Sequence, residues 1–118
     1  MDVILNIGLA REGNSNIGSG TVIREVIKAF GAASFEFMRS DTELTCVACV
    51  SSPNTLHLRN NVNFLALLLG QDCIAAYDRD SKAGWLIGPR ADKWGAFNPQ
   101  YFFLLDGTRL AAPAAQAA

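Results

Sequence analysis

Residues 3–9 read VILNIGL, and this stretch predicts the first strand of the fold. Every second residue in it is large and apolar, which is the period of a β-strand with one buried face. These residues are Val3, Leu5, Ile7 and Leu9. The polar, glycine-rich run at 11–20, REGNSNIGSG, favours a loop. A strand followed by a long polar connection is therefore expected.

A helix is expected after this loop, because apolar residues recur there at intervals of three and four. They are Val22, Ile23, Val26, Ile27 and Phe30. Thr21 is placed to cap the helix at its N-terminus, and Gly31 is placed to end it.

Two strand-like runs come next, at 34–39 and 43–51. The second run alternates between two apolar faces, as a strand does. The polar residues at 40–42 favour a tight turn, and Pro53 ends the second run. The two runs are therefore predicted to form a β-hairpin.

A second helix is predicted beyond this hairpin, capped by Asn54 or Thr55 and ended by Gly70. One stripe of it is apolar, and consists of Leu58, Val62, Leu65 and Leu69. Three asparagines follow the first turn, and asparagine is a weak helix former. They leave open a later start, near Asn60.

Two more strands are expected at 72–78 and 83–87, joined by a polar turn. The order strand, helix, strand, strand, helix, strand is that of a ferredoxin-like βαββαβ sandwich. This is an α+β fold with an antiparallel sheet and two helices on one face, to which the strand at 83–87 is an addition. Because such a fold hosts unrelated functions, it assigns no chemistry.

The part of the chain beyond these strands is an aromatic C-terminal extension. The run 101–105 is interpreted in two ways. One is a short helix, with Asn98 as its cap and Pro99 in its first turn. The other, which we prefer, is a strand that enters a hairpin at Asp106-Gly107.

The composition indicates one folded domain over residues 1–110, with the alanine-rich residues 111–118 as a disordered tail. The chain of 118 residues is 50% hydrophobic and 18% charged, which excludes a disordered protein. A formal net charge of -1 disfavours binding to nucleic acid. Neither a signal peptide nor an apolar run of membrane-spanning length is visible, so we expect a cytoplasmic protein without membrane contact.

The three cysteines, Cys46, Cys49 and Cys73, are expected to be thiols outside any disulfide. Cys46 and Cys49 have C-x-x-C spacing, but a separation of three residues on a strand places two side chains on opposite faces. A zinc site would need a second pair of ligands, and His57 is the one histidine. We therefore predict no metal and no other cofactor, and expect His57 at the surface or in a helix cap.

An enzyme is not favoured. Asp72 and Asp78 share a face of one predicted strand but lie about 20 Å apart along it, too far to act as a pair. With a single histidine, the chain shows no Ser-His-Asp pattern either. No catalytic residue is predicted, and an enzyme of unknown type is the last alternative.

The end of the glycine-rich loop is a candidate ligand site. Gly18, Ser19, Gly20 and Thr21 lie where a strand leads into a helix, a setting in which backbone N–H groups hold phosphate. The lysine that a nucleotide-hydrolysing loop requires is replaced by Ser19. The preferred interpretation is therefore a connection that binds no ligand, and a passive site for a phosphate-bearing, nucleotide-like ligand is the alternative.

Six of the eleven aromatic residues lie between positions 85 and 103. Consecutive Tyr101, Phe102 and Phe103 cannot all point one way, so some of them must meet another surface. Two interpretations stay open: a lid over the open face of the sheet, and a protomer interface or partner-docking patch. The candidate partner-binding residues are Trp85, Trp94, Phe97, Tyr101 and Phe102.

A set of loose motifs spans most of the chain. They are ILNIGL at 4–9, QDCIA at 71–75, Gly88-Pro89, Trp94-Gly95, Phe97-Asn98-Pro99, Tyr101-Phe102 and Leu105-Asp106-Gly107. In these motifs the chain resembles small uncharacterised proteins encoded by bacteriophages, prophages and integrative elements. The resemblance implies a mobile-element accessory protein, a class that includes anti-CRISPR and other anti-defence factors. It carries no functional residue over to this chain.

The leading hypothesis is a non-catalytic protein of a phage or mobile element that binds and blocks a host protein. The alternative is a protein that sequesters a small nucleotide-like ligand at the glycine-rich loop or at a subunit interface. A homodimer is expected as well, because the predicted sheet has an exposed edge and such edges are normally paired or covered.

Overall fold

The first strand, β1 (Asp2–Arg11), is hydrogen-bonded to a strand on each side in the computed structural model of the protein. On one side, β3 (Glu43–Ser51) pairs with it antiparallel from end to end. On the other side, β4 (Ile74–Asp78) pairs antiparallel with its first half. The sheet is therefore built outward from β1.

Three more strands complete the sheet. β2 (Ser34–Arg39) pairs antiparallel with β3, and β5 (Ala83–Ile87) pairs antiparallel with β4. The two-residue β6 (Ala115–Gln116) adds to β5 in parallel, which gives the order β2-β3-β1-β4-β5-β6. The protein thus has an α+β fold with a five-stranded antiparallel sheet, and β6 is appended at one edge.

The structure describes residues 1–11, 17–39, 43–110 and 115–116, and of residues 10, 11, 115 and 116 it describes only the backbone. The turn predicted at 40–42 lies outside these residues, and so does the tail predicted at 111–118, apart from β6. Within the described part of the chain, no helix is long and apolar enough to cross a membrane.

Both helices, α1 (Ser19–Phe30) and α2 (Thr55–Leu68), pack on the same face of the sheet, as predicted. Their buried residues meet the alternate strand residues that point the same way. The strand residues of this core are Val3, Leu5, Ile7, Leu9, Cys46, Ala48, Val50, Ile74, Ala76, Trp85 and Ile87. The helix residues are Val22, Val26, Leu58, Val62, Leu65 and Ala66.

The start of α1 differs from the prediction. The helix begins at Ser19, with Gly18 at the N-cap position and no side-chain cap. The backbone N–H of Thr21 already donates to the Gly18 carbonyl at 3.1 Å, so Thr21 belongs to the first turn and the prediction that it caps the helix is wrong. The predicted end is confirmed: Gly31 has φ 82, which glycine adopts without strain.

The start of α2 is decided by its cap. Asn54 Oδ1 accepts a hydrogen bond of 2.8 Å from the His57 backbone N–H, and the helix begins at Thr55. A later start near Asn60 is therefore not observed, because the cap offsets the weak helix propensity of the asparagines that follow. The strand after the helix is shorter than predicted and begins at Ile74.

The opposite face of the sheet is covered by the C-terminal segment (residues 97–110). Phe97 and Phe102 are buried with Ile4 and Val47 in a second apolar cluster. At one end of the segment, the ring of Phe97 lies so close to Gly84 of β5 that a Cβ there would overlap it. At the other end, the segment reaches β2, since a Cβ on Gly107 would lie 3.5 Å from Met38 Sδ.

The C-terminal segment combines the two alternatives that the sequence left open. Pro99–Tyr101 is a 3-10 turn, and the Asn98 side chain accepts a hydrogen bond from Gln100 N at its start. The chain then reverses at Asp106-Gly107, where Phe103 and Arg109 form an isolated antiparallel bridge. The preferred strand is thus reduced to a single bridge, and the 3-10 turn takes Tyr101, the first residue of the run.

The Asn6 side chain joins the C-terminal segment to β1 by two hydrogen bonds. Its Nδ2 donates to the Phe103 carbonyl at 3.0 Å, and its Oδ1 accepts from the Phe103 N–H at 2.8 Å. One side chain therefore supplies the hydrogen bonds that a neighbouring strand would supply.

Asn6→Ala is expected to lower the free energy of unfolding by about 2–4 kcal/mol, because it leaves two part-buried backbone groups of Phe103 without their partners. Urea unfolding measures the loss, and amide hydrogen exchange should become faster over residues 102–110. Asn63→Ala, on α2, is the control and should leave exchange in that segment unchanged. Equal exchange in Asn6→Ala and wild type would show that other contacts hold the segment.

Candidate functional site

The candidate ligand residues of the glycine-rich loop lie at the beginning of α1. Gly18, Ser19 and Gly20 are exposed and Thr21 is half-buried. Residues 12–16, which would complete a phosphate-binding loop, lie outside the described part of the chain. The described residues therefore form only the helix N-terminus of the candidate site.

Three of the five candidate partner-binding residues are buried. Trp85 points into the core beneath the helices, and Phe97 and Phe102 of the C-terminal segment pack on the opposite face of the sheet. The ring centroids of Phe97 and Phe102 are 5.3 Å apart, within the range of aromatic packing. The apolar surface of these three residues is thus used within the fold, and the positions of Phe97 and Phe102 match the lid interpretation.

Trp94 and Tyr101 remain at the surface, with 46% and 73% of their area exposed. They belong to two separate 3-10 turns, Ala91–Trp94 and Pro99–Tyr101. The structure thus divides the aromatic residues into an inner group that packs and an outer group that faces solvent.

The ring of Trp94 is held in place by Asp72. Trp94 Nε1 donates to Asp72 Oδ2 at 3.0 Å, and Lys93 Nζ lies 3.4 Å from the same oxygen. The Lys93 ammonium is also 5.8 Å from the centroid of the Trp94 ring, within the range of a cation–π contact. Arg90 Nη1 lies 3.6 Å from the other carboxylate oxygen. We call Asp72, Arg90, Lys93 and Trp94 the Trp94 cluster.

Asp72 organises this cluster from between α2 and β4. Its carbonyl accepts from Arg90 N at 2.9 Å, and its backbone passes so close to Gly88 that a Cβ on that glycine would overlap it. The hydrogen bond from Trp94, followed by the charge of Lys93, lowers the pKa of the Asp72 carboxyl. The carboxylate that orients the ring is therefore ionised at neutral pH. The sequence analysis considered Asp72 only as a possible partner of Asp78, and missed this role.

Ser52 and His57 form a second polar pair that the sequence analysis missed. Ser52 Oγ lies 2.7 Å from His57 Nδ1 and donates to the Asn54 carbonyl at 3.1 Å. The Ser52 hydroxyl is thus placed between the His57 ring and a backbone carbonyl at the start of α2. The His57 ring also meets the ring of Phe30 edge-on, at 6.0 Å. This pair closes the N-terminus of α2, in line with the expected capping role of His57.

The cysteines follow the predicted arrangement on β3. Cys46 is buried beneath the helices, whereas Cys49 points to the opposite face and lies 3.7 Å from Arg79 Nη1. Cys49 and Cys73 are half-buried, and none of the three is in a disulfide in the described structure. Burial raises the pKa of the Cys46 thiol to about 12, so this thiol stays protonated and inert at neutral pH.

The outer face of α2 carries large apolar side chains at the surface. Leu56 is 70% exposed, Phe64 61%, Leu67 57% and Leu68 52%. We call Leu56, Asn60, Phe64, Leu67 and Leu68 the α2 stripe. Outer faces of surface helices are ordinarily polar, so this face is unusual. The sequence held a signal for it: α2, TLHLRNNVNFLALL, contains a single charged residue.

No family model, no curated protein sequence and no solved structure matches this chain.

Ser52→Ala is expected to lower the free energy of unfolding by about 1–3 kcal/mol, because it leaves polar groups around a buried position without a partner. Ser51→Ala, at the exposed neighbouring position, is the matched control and should stay within about 0.5 kcal/mol of wild type. Thermal or urea unfolding of both variants measures the difference. Equal stability of the two variants would contradict the capping role.

Cys46 is expected to resist a thiol reagent in the native protein at pH 8, while the half-buried Cys49 and Cys73 react, and unfolding should expose all three.

The free energy of unfolding should fall at alkaline pH because of Cys46. The folded-state pKa of about 12 exceeds the ordinary value of 9.0 for a cysteine thiol, so the unfolded chain loses this proton first. The buried Cys46 thiol therefore makes its full contribution to the free energy of unfolding below about pH 9, and this contribution is lost as the pH rises towards 12. Cys46→Ala should lose less free energy of unfolding than wild type as the pH rises. Identical pH profiles of stability in the two proteins would refute this prediction.

Proposed function

We propose that this protein is a non-catalytic accessory protein of a phage or mobile element, which binds and blocks a host protein in the cytoplasm. The Trp94 cluster is its docking surface. The observation that carries the proposal is the geometry of Trp94: a large aromatic ring that is 46% exposed and yet fixed in orientation by a hydrogen bond to Asp72. Such a ring fits a binding site better than a core or a mobile surface.

The energetics of binding support this choice. A tryptophan at the centre of an interface contributes more binding free energy than most residues. It buries a large area, and only a few of its bonds lose rotational freedom. The hydrogen bond to Asp72 and the neighbouring Lys93 restrict the ring before any partner arrives. Part of the ordering cost of binding is therefore met in the unbound protein. Arg90 and Lys93, both largely exposed, supply a polar rim.

The position of the Trp94 cluster in the fold also supports the proposal that it is the docking surface. One face of the sheet is covered by α1 and α2, and the other by the C-terminal segment. A partner that recognised this protein would therefore contact a rim or the outside of a helix rather than the sheet. The Trp94 cluster lies on such a rim, where the connection that follows β5 meets Asp72 from the connection between α2 and β4.

We assign the fold, as part of this proposal, to the ferredoxin-like type. Its support is that each helix connects two strands with a third strand between them: α1 joins β1 to β2 across β3, and α2 joins β3 to β4 across β1. The strands β5 and β6 depart from the plain βαββαβ pattern. The assignment adds no chemistry, since this architecture serves many functions.

Trp94→Ala is expected to cost at least about 2 kcal/mol of binding to the host protein, the scale of an interface hot spot. The free energy of unfolding should fall by much less than the roughly 3–5 kcal/mol of a buried tryptophan. Tagged wild type and variant are used to capture a stoichiometric protein from host lysate. The captured protein is then identified, purified and titrated against both.

Two further variants serve as controls in the same titration. Trp94→Phe keeps an aromatic ring but loses the hydrogen bond to Asp72, so an intermediate loss of affinity is expected. Phe97→Ala removes a buried ring, and should lower stability while the folded fraction keeps its affinity. If Trp94→Ala unfolds the protein, or binds the captured protein as tightly as wild type, the cluster is structural and the docking surface lies elsewhere.

A further inference from the structure

We infer that the α2 stripe is the interface of a homodimer, in which α2 of one copy packs antiparallel against α2 of a second copy. The inference does not rest on the proposed host binding, because it concerns a different surface and a different partner. It starts from the four large apolar side chains that the stripe exposes, with exposed fractions from 52% to 70%.

The spacing of the stripe suits contact with another helix. Leu56, Asn60, Phe64 and Leu67 follow one another at intervals of four, four and three, which is a ridge on a helix surface. This ridge is about 16 Å long at 1.5 Å per residue. In an antiparallel pair, Leu56 of one copy faces Leu67 of the other, and Phe64 faces Asn60. Each large side chain of the ridge then has a partner across a two-fold axis.

The exposed area is close to what a stable dimer needs at its centre. The four apolar side chains expose on the order of 400 Å² per copy, since a large side chain presents about 150–200 Å² when fully exposed. A standard interface buries about 800 Å² per partner, of which the outer part is polar. The stripe thus provides an apolar centre of the right size, and the polar residues around it provide the rim.

The charge distribution favours a second copy over another protein. A two-fold axis brings each nearby residue towards its own copy, so a charge beside the axis would be repelled by itself. The single charge of α2 belongs to Arg59, which lies about 100° round the helix from the ridge. The ridge itself is uncharged, which is the condition for symmetric self-association.

The test measures the mass of the purified protein by light scattering, with no host protein present. Wild type is expected to be a dimer at micromolar concentration. Phe64→Lys places two like charges beside the axis and should raise the dissociation constant by at least about a hundredfold. Because Phe64 is 61% exposed, the variant should keep the thermal stability of a folded monomer. Tyr101→Lys, at an exposed aromatic residue on the other side of the sheet, is the matched control and should remain dimeric.

A charge swap makes the test specific for this face. Phe64→Lys and Phe64→Glu should each be monomeric alone, and their mixture should form a dimer. A monomeric wild type would overturn the inference. A dimer that survives Phe64→Lys would also overturn it, and would point to the edge strand β2 instead. A charge-swapped mixture that stays monomeric would rule out the antiparallel arrangement.

Discussion

The structure depends on one constraint: β1 buries apolar side chains on both of its faces, so both faces of the sheet must be covered. Leu5 and Ile7 point into the core beneath the helices, while Ile4 is buried on the other side. An apolar sheet face is stable only when another layer of structure excludes water from it. The two helices supply one layer and the C-terminal segment supplies the other. Asn6, the polar residue of β1 on that second side, is compatible with burial because it hydrogen-bonds the covering segment.

This constraint also decides where binding can occur. The phenylalanines of the C-terminal segment close the face that an uncovered sheet would offer to a partner. What remains for recognition is the periphery: the fixed ring of Trp94, and the outer side of α2. Several groups with possible chemistry are occupied by structural contacts. The Ser52 hydroxyl contacts the cap of α2, and the Cys46 thiol is held protonated in the core.

Local periodic signals predicted much of the fold. The hairpin of β2 and β3 has the predicted bounds, since alternation and a polar break are properties of a short segment. The opposite orientation of Cys46 and Cys49 followed from the same alternation. The C-terminal segment was ambiguous because its hydrogen bonds join Asn6 and Phe103, 97 residues apart. The role of Asp72 was missed for a similar reason, since Trp94 lies 22 residues away.

The amino-acid sequence by itself determined the order of the strands β1 to β5 and the two helices, because this order follows from the period of the apolar residues. Tertiary structure alone decided which aromatic residues are buried. Phe97 and Trp94 both lie outside the predicted helices and strands, yet Gly84 leaves room for Phe97 and Asp72 holds Trp94 at the surface. Burial depends on what lies across from a side chain, and a sequence pattern does not encode that neighbour. The exposure of the α2 stripe also depends on the tertiary structure. The sequence shows a second apolar side on α2, but only the packed fold shows that nothing in the described structure covers it.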